Sequence, residues 1–164
     1  MSSILKVSEI QDPTNGNSAL TIDSSGRVLQ PAKPAFFVYK NTGNYQWGGG
    51  VAQFDTIEID TDNGWDNTNY RYVFPVSGVW WINVIWHNTT NQQTSGFLRK
   101  NGSNYMFAYQ ANDGGGREGT MNISVLMQVN AGDNTDFHGW SASSAGVGIV
   151  SGMKSSAFQG YLLG

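Results

Sequence analysis

A chain of 164 residues and 17.9 kDa has room for one domain of ordinary size and a short additional piece. With no cysteine and a formal charge of -3, it excludes a disulfide scaffold, a thiolate zinc site, a cysteine nucleophile and any basic surface able to neutralise a phosphate backbone, so nucleic acid is not an expected partner. No apolar run approaches the roughly 20 residues of a membrane helix, and Met1 to Gln11 lacks the apolar centre of a secretory signal, so a soluble protein without membrane partners and outside the general export route is expected.

The first 34 residues read as an arm. Leu5 to Ile10, Ala19 to Asp23 and Arg27 to Leu29 are short strand-like pieces, separated by the turn sequences Pro13-Thr14-Asn15-Gly16 and Asp23-Ser24-Ser25-Gly26. Too few apolar residues occur here for an independent core. Leu5, Val7, Ile10, Leu20, Ile22 and Val28 are therefore expected to dock on another body. Pro31 and Pro34 fix φ and hold their predecessors extended, which marks residues 1–34 as arm and linker and residues 35–164 as a separate domain.

From Ala35 the period is two. Ala35 to Lys40, Thr56 to Asp60, Tyr70 to Phe74, Val79 to Trp86, Gly96 to Lys100, Tyr105 to Gln110, Met121 to Val129 and Ala157 to Leu163 carry the aromatic and β-branched residues of strands. Glycine-rich tracts at 48–50 and 112–116 are loops. No stretch of helical length places apolar residues at three-to-four spacing, so the expectation is all-β, an antiparallel sandwich or jelly roll.

Two of these strands say more. Met121, Ile123, Val125, Met127 and Val129 alternate with Asn122, Ser124 and Gln128, the pattern of a sheet with one wet face. In Val79 to Trp86 the alternation fails: Trp80, Ile82, Val84 and Trp86 occupy one face, and Val79, Trp81 and Ile85 the other. A central strand covered by loops would account for this, and so would a subunit seam, because interfaces concentrate aromatic residues. The last strand repeats the pattern, with Phe158 and Leu162 on one face and Tyr161 and Leu163 on the other.

Phe54, Asp60, Trp65, Tyr72, Gly78, Trp80 and Ile82 fall at the spacings of a known signature, that of the complement C1q globular head, a branch of the tumour-necrosis-factor-like jelly rolls. Tyr72 stands where phenylalanine is usual, Trp80 where tyrosine is usual and Ile82 where phenylalanine is usual. The collinear segments Phe97 to Gly102, Val125 to Asp133 and Ser156 to Leu163 resemble the same family, so the likeness spans Ala35 to Gly164. It implies Phe54, Trp65, Tyr72, Gly78, Trp80, Ile82 and Phe158 as core signature. It also implies a compact homotrimer, with Trp81, Ile85, Tyr161 and Leu163 in the seam. The arm segments Leu5 to Pro13 and Ala19 to Val28 resemble the short N-terminal module of fibre and other virion proteins of tailed phages.

Catalytic chemistry has little to work with. His87 and His138 have no converging partners by spacing, and no nucleophile elbow or phosphate loop occurs, so no enzyme and no cofactor are expected. Asp60, Asp62 and Asp66 resemble part of a calcium loop but lack the bidentate glutamate further along, and turn formation by Asp and Asn explains them as well. Trp47, Trp65, Tyr70, Tyr105 and Trp140 lie in or beside loops. Trp47, Tyr105 and Trp140 are candidates for stacking on host glycan, against the ordinary role of filling a core.

The expected function is that of a virion accessory protein of the fibre or knob type, assembled in the host cytoplasm and exposed on the particle. Its arm would dock on other virion structural proteins, and its trimeric head would meet a host surface glycan or protein. Decoration or cement of a capsid or tail is the alternative within the virion, and a carbohydrate-binding module of a cellular protein the alternative outside it.

Overall fold

A computed structural model describes residues 6–41, 45–47, 49–88, 94–110, 119–140, 145–147 and 154–164; for 45–47, 88, 94, 110, 140 and 145–147 it describes backbone alone. Every regular element among them is a strand, and the chain divides into two units, Met1–Lys33 and Pro34–Gly164.

The first unit is a three-stranded antiparallel meander of β1 (Glu9–Gln11), β2 (Ser18–Ile22) and β3 (Val28–Leu29). An aspartate side chain organises each turn. Asp12 accepts from the amides of Thr14 and Asn15 at 2.7 and 3.2 Å, and Asp23 accepts from those of Ser25 and Arg27 at 2.9 and 3.0 Å. Gly16 (φ 71°) and Gly26 (φ 79°) supply the left-handed step that closes each loop. The first strand begins at Glu9, later than its apolar pattern suggests, with the ladder on β2 running over Glu9 to Gln11 and one further bond from the Ile22 amide to the Ser8 carbonyl at 2.9 Å.

The second unit continues with β4 (Ala35–Tyr39), β5 (Tyr45–Trp47), β6 (Gly50–Val51), β7 (Thr56–Asp60), β8 (Trp65–Asp66), β9 (Arg71–Val73), β10 (Gly78–Asn88), β11 (Thr94–Lys100), β12 (Ser103–Gln110), β13 (Gly119–Val129), β14 (Asn134–Trp140), β15 (Ala145–Val147) and β16 (Ala157–Leu162). A five-stranded sheet runs β13-β10-β16-β4-β7. A six-stranded sheet runs β12-β11-β14-β9-β8, with β6 against β14, and β5 pairs with β15. All pairings in both are antiparallel.

Between the two sheets lies one apolar cluster to which both contribute, which makes a sandwich. Aromatic rings dominate it: Phe36 stacks on Tyr72 at 4.0 Å, Phe158 meets Phe36 edge-on at 5.1 Å, and Phe54 meets Trp86 edge-on at 5.6 Å. The signature residues Phe54, Trp65, Tyr72, Trp80, Ile82 and Phe158 are all buried here. Gly78 (φ 152°) is required by closeness as well as conformation, since a Cβ there would come within 2.7 Å of Leu162 and 2.8 Å of the Gly164 carbonyl. The final strand is central: β16 pairs with β10 on one side and β4 on the other, and the Gly164 carbonyl accepts from the Val79 amide at 2.9 Å.

Asn134 to Trp140 is a strand that sequence pattern does not reveal. It contributes one large apolar side chain, Phe137, and the small Thr135 to the interior, while Asn134, Asp136 and His138 alternate on the other face, so its composition resembles a loop. The shorter strands β5, β6, β8 and β15 are two or three residues long, below the length at which alternation is readable.

Candidate functional site

The outward face of the five-stranded sheet is where the chain departs from a water-facing surface. Register places Trp81 of β10 between Leu126 of β13 and Tyr161 of β16, with the Trp81 and Tyr161 rings 5.4 Å apart. Leu126 is 56% exposed and Tyr161 41%. The Trp81 indole donates to the Ser124 hydroxyl at 3.0 Å, which fixes the ring across the strands. Ile85, half-buried, lies four residues along β10 on the same face, and Leu163 is exposed beside Val79, whose carbonyl accepts from the Leu163 amide at 2.8 Å.

The four residues singled out for a seam thus share one face. Sequence reasoning missed three others. Phe37 and Tyr39 of β4 face the same way with rings 6.0 Å apart, and the Lys154 ammonium lies 5.5 and 5.2 Å from their centres. Leu126 is the third. The signals were present: Phe36-Phe37-Val38-Tyr39 is apolar on both faces, and Leu126 interrupts the polar series Asn122, Ser124 and Gln128.

Within this apolar face runs a polar rung. Asn83, only 5% exposed, donates to the Ile123 carbonyl at 3.0 Å and accepts from the Gln159 amide at 3.1 Å. The cost of burying that amide is offset by both bonds. Beyond it His87 Nδ1 and the Thr120 hydroxyl stand 3.2 Å apart.

A second apolar surface is the edge strand β12, where Tyr105, Met106, Phe107 and Tyr109 are all exposed. Phe107 packs on Phe97 with ring centres 4.9 Å apart. The Tyr105 hydroxyl donates to the Leu126 carbonyl at 3.1 Å, so this residue bridges the two sheets at their shared margin. For Trp47 and Trp140 the side chains lie outside the described residues.

In the loop 60–66 the carboxylates serve the turn. Asp60 accepts from the amides of Gly64 and Trp65 at 2.9 Å each, Asp62 accepts from the Thr61 hydroxyl at 2.7 Å, and Asp66 accepts from Thr68, Asn69 and Arg71. Hydrogen bonds from the Asn69 side chain and backbone hold the Asp66 carboxyl below its usual value. Tyr72 beneath the loop has its phenol pushed up, first by burial and then by the charges of Asp60 and Asp62. Among the described residues no group of three or more His, Asp or Glu side chains is placed to hold a metal ion.

In the arm unit, Val7, Ile10, Leu20, Ile22 and Val28 line one apolar groove of about 190 Å³, with Glu9 at its side. Leu5 lies outside the described residues. Five of the six residues expected to dock are therefore gathered in one place, and Val7, Ile10, Ile22 and Val28 are exposed.

Comparison with known proteins bears on the second unit. The model of the C1q domain family matches residues 35–163. Among solved structures, the globular domain of zebrafish complement 1qA protein is similar with a TM-score of 0.64 at 16% identity, covering 80% of this chain and 98% of that one. The Eiger TNF structure from S. frugiperda is similar with a TM-score of 0.62 at 10% identity, covering 80% and 93% respectively. No curated protein matches the chain. These findings bear out the head's resemblance and the antiparallel jelly-roll fold.

Proposed function

This chain belongs to the C1q domain family, and from that premise we propose that its head is a homotrimeric binding module with no catalytic activity, carried on a larger assembly by its arm. Domains of this family are typically non-enzymatic and commonly form homotrimers. The carrying observation is the apolar outward face around Trp81, Leu126 and Tyr161, which a monomer would leave in water.

Geometry favours three copies over two. The sheet face and the β12 edge are different surfaces, so a twofold pairing of like patches would bury one and leave the other wet. Head-to-tail contact, the β12 edge of one copy on the sheet face of the next, would bury both, and about a threefold axis such contacts close as a ring. Binding surfaces on three identical heads then act together, which raises avidity without new contacts.

The assembly we propose for the arm is a virion, on the strength of the arm's likeness to tailed-phage virion modules. The gathering of Val7, Ile10, Leu20, Ile22 and Val28 in one open apolar groove supports docking on a partner protein. The distal loops would then meet the host surface.

The test is the mass of the full chain in solution at micromolar concentration. Wild type is expected at three times 17.9 kDa, and Leu126→Arg and Trp81→Glu at a single chain, with cooperative unfolding retained. A wild-type protein that runs as one chain at every concentration overturns the trimer. For the arm, Ile10→Asp with Ile22→Asp is expected to remove the protein from assembled particles while leaving its own oligomeric mass unchanged. Retention in particles would overturn the docking role.

A further inference from the structure

On its own outward side, the six-stranded sheet carries an open cleft of about 450 Å³, within the usual size range of small-molecule sites. Arg71 of β9, Arg99 of β11, and Asn134 and Asp136 of β14 converge on it, with Asn69 at the rim and Val51 as an apolar wall.

The donors are held in place. Arg99 and Asp136 face each other in register and form a two-point pair, Nε to Oδ1 at 2.7 Å and Nη2 to Oδ2 at 2.9 Å, with the Asp136 side chain buried. That pairing fixes the guanidinium plane and leaves Nη1 without a partner among the described residues. Arg71 is anchored through Nε to Asp66 at 3.1 Å, and neither of its terminal nitrogens has a partner among the described residues. The Asn134 side-chain amide has none there either. Around one cleft, then, stand two fixed guanidinium groups with spare N–H donors, an amide offering both donor and acceptor, and a carboxylate with lone pairs remaining.

We propose that this cleft binds a sugar acid of the uronate kind. Its carboxylate would sit on the spare donors of Arg71 and Arg99, and its ring hydroxyls would exchange hydrogen bonds with Asn134 and Asp136. A bare anion fits less well, because the Asp136 charge already offsets that of Arg99 and only a ligand with hydroxyl donors can satisfy it. A neutral sugar would bring no ionised acceptor to the spare N–H donors, those not already paired with Asp66 and Asp136. Every lining group belongs to one chain, so the site needs neither the trimer nor the arm.

Titration of the full chain with D-glucuronate, followed by amide chemical shifts, tests this. Shift changes are expected at residues 71, 99 and 134. D-Glucose and acetate should each bind roughly tenfold more weakly or worse, the factor expected for one lost charge-assisted hydrogen bond. Arg71→Gln should weaken glucuronate by a similar factor without changing the thermal midpoint, and Asn134→Ala should weaken it less. The proposal fails if glucuronate moves no signal at the cleft, if acetate binds as tightly, or if Arg71→Gln binds as well as wild type.

Discussion

The outward face of the five-stranded sheet and the β9–β11–β14 part of the six-stranded sheet differ in character, the apolar β12 edge of the latter aside. On the five-stranded sheet Trp81, Leu126, Tyr161 and Phe37 form an apolar surface around a single polar rung, while on the six-stranded sheet Arg71, Arg99, Asn134 and Asp136 form a polar cleft. Both sheets bury the same kind of aromatic inner face. Strand alternation makes this separation possible, because inner and outer residues of one strand can be chosen independently. The lesson is that the inner faces determine that the domain folds, and the outer faces determine what it meets.

The largest effect is expected from removing the strand both faces depend on. Deleting residues 157–164 takes out β16, which pairs with β10 and β4 and brings Phe158 to the core. No folded protein should result, as read from circular dichroism and amide shift dispersion. A cooperative unfolding transition in the truncated chain would mean the five-stranded sheet tolerates losing its middle, and the comparison would lose its common scaffold.

Next comes a pair of changes that separates the faces. Arg99→Leu strands the buried Asp136 carboxylate and should cost about 2–4 kcal/mol in urea denaturation, somewhat less than a fully buried pair because Arg99 keeps some exposure. Adding Asp136→Val should restore most of that loss, since the penalty is an uncompensated charge. Leu126→Arg on the other sheet should change the stability of a single chain by less than about 0.5 kcal/mol. Equal stability losses on both sides would show that the apolar face serves the fold, not association.

How legible this was depended on which face a residue serves. The inner faces were readable because burial imposes a strict period of two: Trp80, Ile82, Val84 and Trp86, or Met121 to Val129, could be assigned from the sequence alone. Trp81, Ile85, Tyr161 and Leu163 were readable as violations of that period. The polar cleft was not. Its residues come from β9, β11 and β14, and β14 looks like a loop because its outward positions are Asn134, Asp136 and His138. A site made of ordinary surface residue types has no pattern along the chain, and only the register of Arg99 with Asp136 brings it into view.

The smallest effect concerns the turn that joins the two sheets. Asp133, between β13 and β14, accepts from the Asn130 amide at 2.8 Å, from the Asn101 side chain at 2.8 Å and from Lys100 at 3.1 Å. The backbone bond from Asn130, then those of Asn101 and Lys100, lower its carboxyl to about 2. Because the folded value lies below the unfolded one, the stabilisation is complete above about pH 4 and is lost as the pH falls toward 2. Asp133→Asn should therefore lower stability at neutral pH slightly and flatten the decline between pH 4 and 2, measured as urea midpoints across that range. The turn lies apart from the apolar face, so the variant should keep the wild-type mass; because Asp133 holds Asn101, which lines the cleft beside Asn134, a small weakening of the glucuronate titration is expected with it. A change in mass would show that the polar side communicates with the apolar face through the margin where β12 meets β13, and that treating them as independent surfaces is wrong.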